Sequence, residues 1–177
     1  MQIRFEFGVT ISQAILRDPK KGCVMAEITA RQAADYFIAF SREAGDPLTN
    51  LKLQKLLYYA QGWYLALYGR PLFDERIEAW PHGPVVPPVY GQFKGWGWEP
   101  IGGEIRKPFL HIRVKKHLDE IMNVFGIYPA YALERMTHRE PPWQDARGGI
   151  PLDQPSHAII THDSMRRYFR QLAKQKQ

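Results

Sequence analysis

The sequence predicts a mainly α protein: a single compact multi-helix domain of about five to six helices, with a short β element near Ile77–Trp80. Two observations carry this prediction. Residues 51–68 repeat apolar side chains at the three-, four- and seven-residue spacing that lines up one face of a helix. The chain has 177 residues, of which 45% are hydrophobic, so it can bury one sizeable core but hardly two.

Residues 1–24 are predicted to be an N-terminal arm outside the main domain, which would cover residues 25–177. The first eleven residues alternate apolar and polar side chains, as a half-buried strand does. A linker-like Asp-Pro-Lys-Lys-Gly sequence and a second methionine, Met25, then precede the first helix signal. Two interpretations stay open: these residues form an integral strand of the domain, or they are an added arm or the product of a mis-assigned start.

The first two helices have recognisable ends. Thr29 and Gln32 have the spacing of a capping box, in which each side chain satisfies a free backbone donor of the other residue. Either Thr49 or Asn50 is expected to cap the helix of residues 51–68, and Gly69 to end it. This helix has few polar residues, so other elements should cover it on more than one side.

The segment Trp80–Tyr90, WPHGPVVPPVY, follows the predicted strand and contains four prolines. Prolines fix the backbone and remove donors, so we expect a rigid elbow here rather than a flexible loop. Pro87 and Pro88 suit the first turn of a helix that would run to Gly95.

Three more helices are predicted further along the chain. One ends at Gly126, the next has Pro129 in its first turn, and the last is capped by Thr161. The run THREPPW, from Thr137 to Trp143, is a second dense motif and is expected to form a turn.

Composition excludes several kinds of chemistry. The lone Cys23 rules out a disulfide framework and a multi-cysteine zinc site, and the histidine spacings suit no helical metal pair. No cofactor is therefore expected. His82 and His138 have two possible roles. Each is either packed in the interior, or it faces a partner or acts in acid–base chemistry with Glu140 or Asp145 as the carboxylate.

Charge and hydropathy suggest where the protein works. The net charge is +6, and the segments 104–117 and 163–177 each carry five basic residues and one acidic residue, so residues 106–116 and 166–176 are candidates for binding nucleic acid. No apolar run approaches the roughly 20 residues of a membrane span. We therefore expect a cytoplasmic protein.

Taken together, the motifs KLQKLLYYAQ, HGPVVPPVY and THREPPW resemble the Panacea domain, the SocA-like antitoxin family often labelled phage-associated protein. The resemblance implies a mostly helical fold and a binding role, not an enzymatic one. It implies an antitoxin of a type II-like toxin-antitoxin system, which binds a toxin encoded by the adjacent gene. One branch of the family hands its toxin to an ATP-dependent protease, so an adaptor role is included. The alternative is a nucleic-acid-binding regulator of its own operon.

The residues expected to form a toxin-binding or motif surface combine family positions with His82. They are Lys55, Tyr58, Tyr59, Trp80, His82, Gly83, Pro84, Val85, Tyr90, Thr137, His138 and Trp143. Whether Lys55 and the two tyrosines are exposed, and so part of that surface, or buried beneath it is left open by the sequence.

Overall fold

One helix, α2, runs through the centre of the protein. In the computed structural model, which describes residues 26–175, α2 spans Asn50–Tyr68 and follows α1, Ala30–Glu43. Nearly every side chain of α2 is buried, as expected for a helix covered on several sides. Thr49 caps its start through a bond from the Lys52 amide, and Gly69, with φ of +71°, ends it.

Seven α-helices and a small sheet make up the described residues, which confirms the mainly α prediction. After α1 and α2 the elements are β1 (Ile77–Trp80), β2 (Gly83–Val85), α3 (Pro87–Phe93), α4 (Ile112–Phe125), α5 (Ala130–Thr137), α6 (Pro141–Arg147), β3 (Ile159–Ile160) and α7 (His162–Lys174). The predicted caps at Thr29 and Thr161 are both present.

Helix α6 corrects the sequence prediction of a turn from Thr137 to Trp143. Pro141 and Pro142 occupy its first two positions, where the missing N–H groups have no helical partner to lose. The seven residues of α6 raise the helix number above the predicted five to six. The prolines that looked like turn formers therefore start a helix.

The sheet has the order β2-β1-β3, and both pairings are antiparallel. Strand β2 was predicted only as part of an elbow. Pro84 in β2 has no N–H, and its carbonyl accepts a bond of 3.2 Å from the Nζ atom of Lys55. The Val86 amide that follows donates to Oε1 of Gln54 at 2.9 Å. Side chains from α2 thus occupy the backbone groups along the outer edge of β2.

The predicted N-terminal strand lies outside the described residues, as do Met25 and the last two residues of the chain. The division into an arm and a domain of residues 25–177 stays a prediction. Within residues 26–175, no helix combines the length and apolar character needed to cross a membrane.

Candidate functional site

An aromatic pocket of about 320 Å³ opens beside the hairpin formed by β1 and β2. It lies between the start of α2, the hairpin, helix α3 and the loop after α3. Its lining residues, which define the aromatic pocket below, are Asn50, Leu51, Gln54, Trp80, Pro81, His82, Val85, Tyr90, Lys94, Gly97 and Trp98.

Four rings shape the aromatic pocket. Trp80 and Tyr90 meet edge to face with centroids 5.0 Å apart, and His82 and Trp98 do so at 5.9 Å. Trp98 is 71% exposed, and Tyr90 is 36% exposed. Large exposed aromatic groups gathered around one concavity are typical of an interaction surface.

Hydrogen bonds hold the floor of the pocket in place. Nδ2 of Asn50 donates to the Tyr90 carbonyl at 3.2 Å, and Nε2 of Gln54 donates to Oδ1 of Asn50 at 3.0 Å. The indole N–H of Trp80 donates to Glu78 at 2.8 Å. Burial opposes ionisation of Glu78, but the bonds from Trp80 and His157 outweigh it and lower the pKa of this carboxyl. The pocket walls are therefore preorganised.

The two candidate histidines have different environments. His82 is exposed at the pocket, and its Nδ1 lies 2.9 Å from Oε1 of Glu134. His138 is half-buried and stacks on Trp143 at 4.3 Å, and burial lowers its pKa. His82 thus fits a partner-facing residue and His138 a packed one. The carboxylate beside His82 is Glu134, instead of the Glu140 or Asp145 considered from sequence.

Glu140 is bound instead by two tyrosines from α2. The hydroxyl of Tyr58 donates to Oε2 at 2.8 Å, and that of Tyr59 donates to Oε1 at 2.9 Å. Burial raises the pKa of Glu140 to about 7, although both hydroxyl bonds favour the charged form. This buried network ties α2 to the start of α6.

Lys55 is also fully buried, beneath β2. Its ammonium donates to the Pro84 carbonyl at 3.2 Å, and burial lowers its pKa to about 7, partly opposed by the charge of Glu134. The question left open by the sequence is thereby answered. Lys55, Tyr58 and Tyr59 lie under the surface and support it.

Most other motif positions are interior as well. Gly83, Pro84, Val85, Thr137 and Trp143 are buried, whereas Trp80 and His138 are half-buried and only His82 and Tyr90 are exposed. The indole of Trp143 donates to the Trp80 carbonyl at 3.0 Å and so links the two sequence motifs. The structure brings the motifs together, but contact with a toxin stays a prediction for every one of these residues.

Sequence reasoning did not select Asn50, Gln54, Lys94 or Glu134. Asn50 and Gln54 carried a usable signal, because two polar side chains four residues apart on a mostly apolar helix imply buried bonding partners. Trp98 was not selected either, yet it is an exposed ring of the pocket.

The two basic segments are partly neutralised by nearby carboxylates. Lys107 pairs with Glu43 and Lys115 with Asp119, each at 2.6 Å. Arg113 pairs with Glu27, and Arg166 with Asp163. Binding of nucleic acid stays a prediction, checked by retardation of promoter DNA that weakens with salt.

Metal binding receives no support from side-chain geometry in the part of the chain that the structure describes. No three His, Cys, Asp or Glu residues among positions 26–175 are grouped so that they could hold an ion.

Comparison with known proteins identifies the family. The Caulobacter vibrioides (strain NA1000 / CB15N) protein "Antitoxin SocA" is 43% identical over 70 residues, which cover 40% of this chain. The matched part spans only 37% of the length of that relative. No solved structure matches the chain. The family model described as "Antitoxin SocA-like, Panacea domain" matches residues 53–144, more than half of the chain and most of the pocket lining. The chain therefore belongs to the SocA-like antitoxin family, characterised by the Panacea domain.

Proposed function

We propose that this protein is the antitoxin of a type II-like toxin-antitoxin system and neutralises the toxin encoded by the adjacent gene through direct binding. The observation that carries the proposal is the position of the aromatic pocket. Nine of its eleven lining residues fall within residues 53–144, the part that matches the antitoxin family. The role is binding, with no catalytic step.

The pocket has the physical properties of a protein-binding site. Trp98 and Tyr90 offer large ring areas that lose little conformational entropy when a partner covers them. Prolines 81, 84, 87 and 88 restrict the backbone around the rings, so little ordering is needed on binding. The bonds from Asn50 and Gln54 hold this frame on α2, and the bond from Trp143 holds it on α6.

Co-expression with the adjacent gene tests the antitoxin role. The gene product alone should stop growth, and co-expression of this protein should restore growth and yield a complex that co-purifies. The matched control is the same plasmid with an early stop codon. A harmless gene product, or one that remains toxic when this protein is present, contradicts the proposal.

The neutralised toxin is further proposed to be handed to an ATP-dependent protease. The half-life of the toxin, measured after translation is stopped, should then be shorter with this protein present, and only in cells that retain the protease. Equal half-lives with and without the protease would instead mean that the protein acts by sequestration.

A further inference from the structure

Lys94 gives the aromatic pocket a positive charge with no negative counterpart. The lining contains Lys94 and His82 but no Asp or Glu side chain. His82 already lies against Glu134, whereas Lys94 is exposed and takes part in none of the ion pairs within residues 26–175. A partner that covers the pocket must bring this ammonium group a counter-charge, or else desolvate it at a cost.

Among the side chains that line the pocket, the hydrogen-bonding capacity left is mainly that of donors. The Asn50 and Gln54 side chains already bond to one another and to the backbone, and the Tyr90 carbonyl already accepts from Asn50. The Lys94 ammonium and the Trp98 indole N–H can only donate, while the Tyr90 hydroxyl can do both. The best complement is therefore a group rich in acceptors, such as a carboxylate.

The size of the pocket limits what can enter. A volume of about 320 Å³ is at the low end of the range for ligand sites and suits one or two side chains rather than a whole helix. The rings of Trp80, Tyr90 and Trp98 provide apolar walls for one of them.

We infer that the aromatic pocket receives a short segment of the toxin in which an apolar side chain stands next to an Asp or Glu. The apolar side chain enters between the rings, and the carboxylate pairs with Lys94 at the rim. This inference rests on the proposed antitoxin function and adds the chemistry of the toxin segment. Since the pair forms at a solvent-exposed rim, it should act mainly on the association rate and weaken with salt.

Binding of the purified adjacent-gene protein to variants of this chain tests the inference. The variants are Lys94→Glu and Trp98→Ala, and the matched control is Lys116→Glu, an exposed lysine of α4 outside the pocket lining. Lys94→Glu and Trp98→Ala should each weaken binding about tenfold or more, and Lys116→Glu by less than about twofold. Lys94 and Trp98 are exposed, so folding of these variants is not at stake.

Short overlapping peptides from the adjacent-gene protein identify the segment. The peptides that bind should carry an apolar residue beside Asp or Glu, and replacement of that acid by its amide should remove most of the salt dependence. Binding only by peptides that lack an acidic residue overturns the inference.

The two proposals fail in different ways. If the unaltered protein binds and neutralises the toxin, and Lys94→Glu and Trp98→Ala do so equally well, the inference is overturned and the antitoxin function stands. If the unaltered protein neither binds nor neutralises the adjacent-gene product, both are overturned, because no toxin segment then exists to occupy the pocket.

Discussion

Gly62 of α2 lies directly against the ring of Phe169 of α7. A Cβ atom at position 62 would be 2.1 Å from Cε2 of that ring, far closer than two carbon atoms can approach. Phe169 cannot easily move away, because it contacts Tyr58, Tyr59 and Trp63 edge to face. The absence of a side chain at Gly62 therefore sets how closely α7 packs on α2.

Gly62→Ala should lower the free energy of unfolding by about 1–3 kcal/mol, because overpacking forces the helices apart. Urea denaturation followed by circular dichroism measures the change. The matched control is Gly91→Ala in α3, where the added Cβ meets nothing within 4 Å and should stabilise the helix slightly. Equal stability of the two variants would contradict the close contact at Phe169.

Gly83→Ala should destabilise the protein more than the matched substitution Gly103→Ala does. Gly83 has φ of +95°, and an added Cβ would lie 2.8 Å from both Cε of Lys55 and Oγ1 of Thr137. Because Lys55 is fully buried and bonded to Pro84, it has little room to withdraw. Gly103→Ala is the control, since it has φ of +77° but open space, so it measures backbone strain alone.

We expect Gly83→Ala to lower the free energy of unfolding by about 1–3 kcal/mol more than Gly103→Ala does. Thermal unfolding of the two variants in parallel provides the comparison. Indistinguishable losses would mean that the Lys55 and Thr137 side chains rearrange without cost.

Glu140 should make the protein less stable as the pH rises. Burial raises the pKa of Glu140 to about 7 in the folded protein, above the roughly 4.3 of an unfolded Glu. Between these values the folded state holds a proton that the unfolded state has released. The contribution of Glu140 to the free energy of unfolding is therefore complete below the unfolded pKa and is lost by about pH 7. The full effect is on the order of 3 kcal/mol.

Glu140→Gln removes this titration. Its free energy of unfolding should therefore fall less steeply as the pH rises than that of the unaltered protein. Free energies of unfolding measured between pH 4 and 8 test it, with the exposed Glu99→Gln as control. Parallel profiles for Glu140→Gln and the unaltered protein would show that Glu140 ionises normally.

His117 should make the protein more stable as the pH rises, which is opposite to the effect of Glu140 over nearly the same pH range. Burial lowers the pKa of His117 to about 4 from an ordinary value near 6.5, although its bond to the Ala60 carbonyl, at 2.9 Å, favours the charged form. The unfolded state then binds more protons between these values, so stability rises with pH up to the unfolded pKa and is lost as the pH falls toward 4.

His117→Phe keeps a ring at this site but abolishes the titration, so it should be relatively less sensitive to acid. The difference in the free energy of unfolding between His117→Phe and the unaltered protein should shrink by on the order of 3 kcal/mol between pH 7 and pH 4. Equilibrium urea unfolding across that range measures it, and above pH 7 the two profiles should run parallel. A constant difference at every pH contradicts the buried, neutral imidazole.

Local signals predicted much of the fold. The apolar spacing of α2, the Thr29 and Thr161 caps and the strand Ile77–Trp80 all depend on neighbouring residues, and the structure confirms them. Helix α6 was missed because a short helix that starts with two prolines has the composition of a turn.

The interior of the site could not be predicted in the same way. Tyr58 and Glu140 are 82 positions apart in the chain, and nothing in a single sequence indicates that they form a pair. The apolar pattern of α2 does not tell whether the charged Lys55 is buried or partly exposed. Its burial depends on Gly83 and Pro84, which pack over it. Exposure of Trp98 likewise depends on how the loop after α3 folds back.

The closed outer edge of β2 restricts how a partner can be recognised there. Strand addition needs unpaired backbone donors and acceptors, and at this edge Pro84 lacks the donor while Lys55 and Gln54 occupy the neighbouring groups. A toxin bound at the hairpin must therefore be recognised through side-chain contacts. Such recognition can change by substitution of a few rim residues while the backbone stays as it is, so partner choice can change without a change of fold.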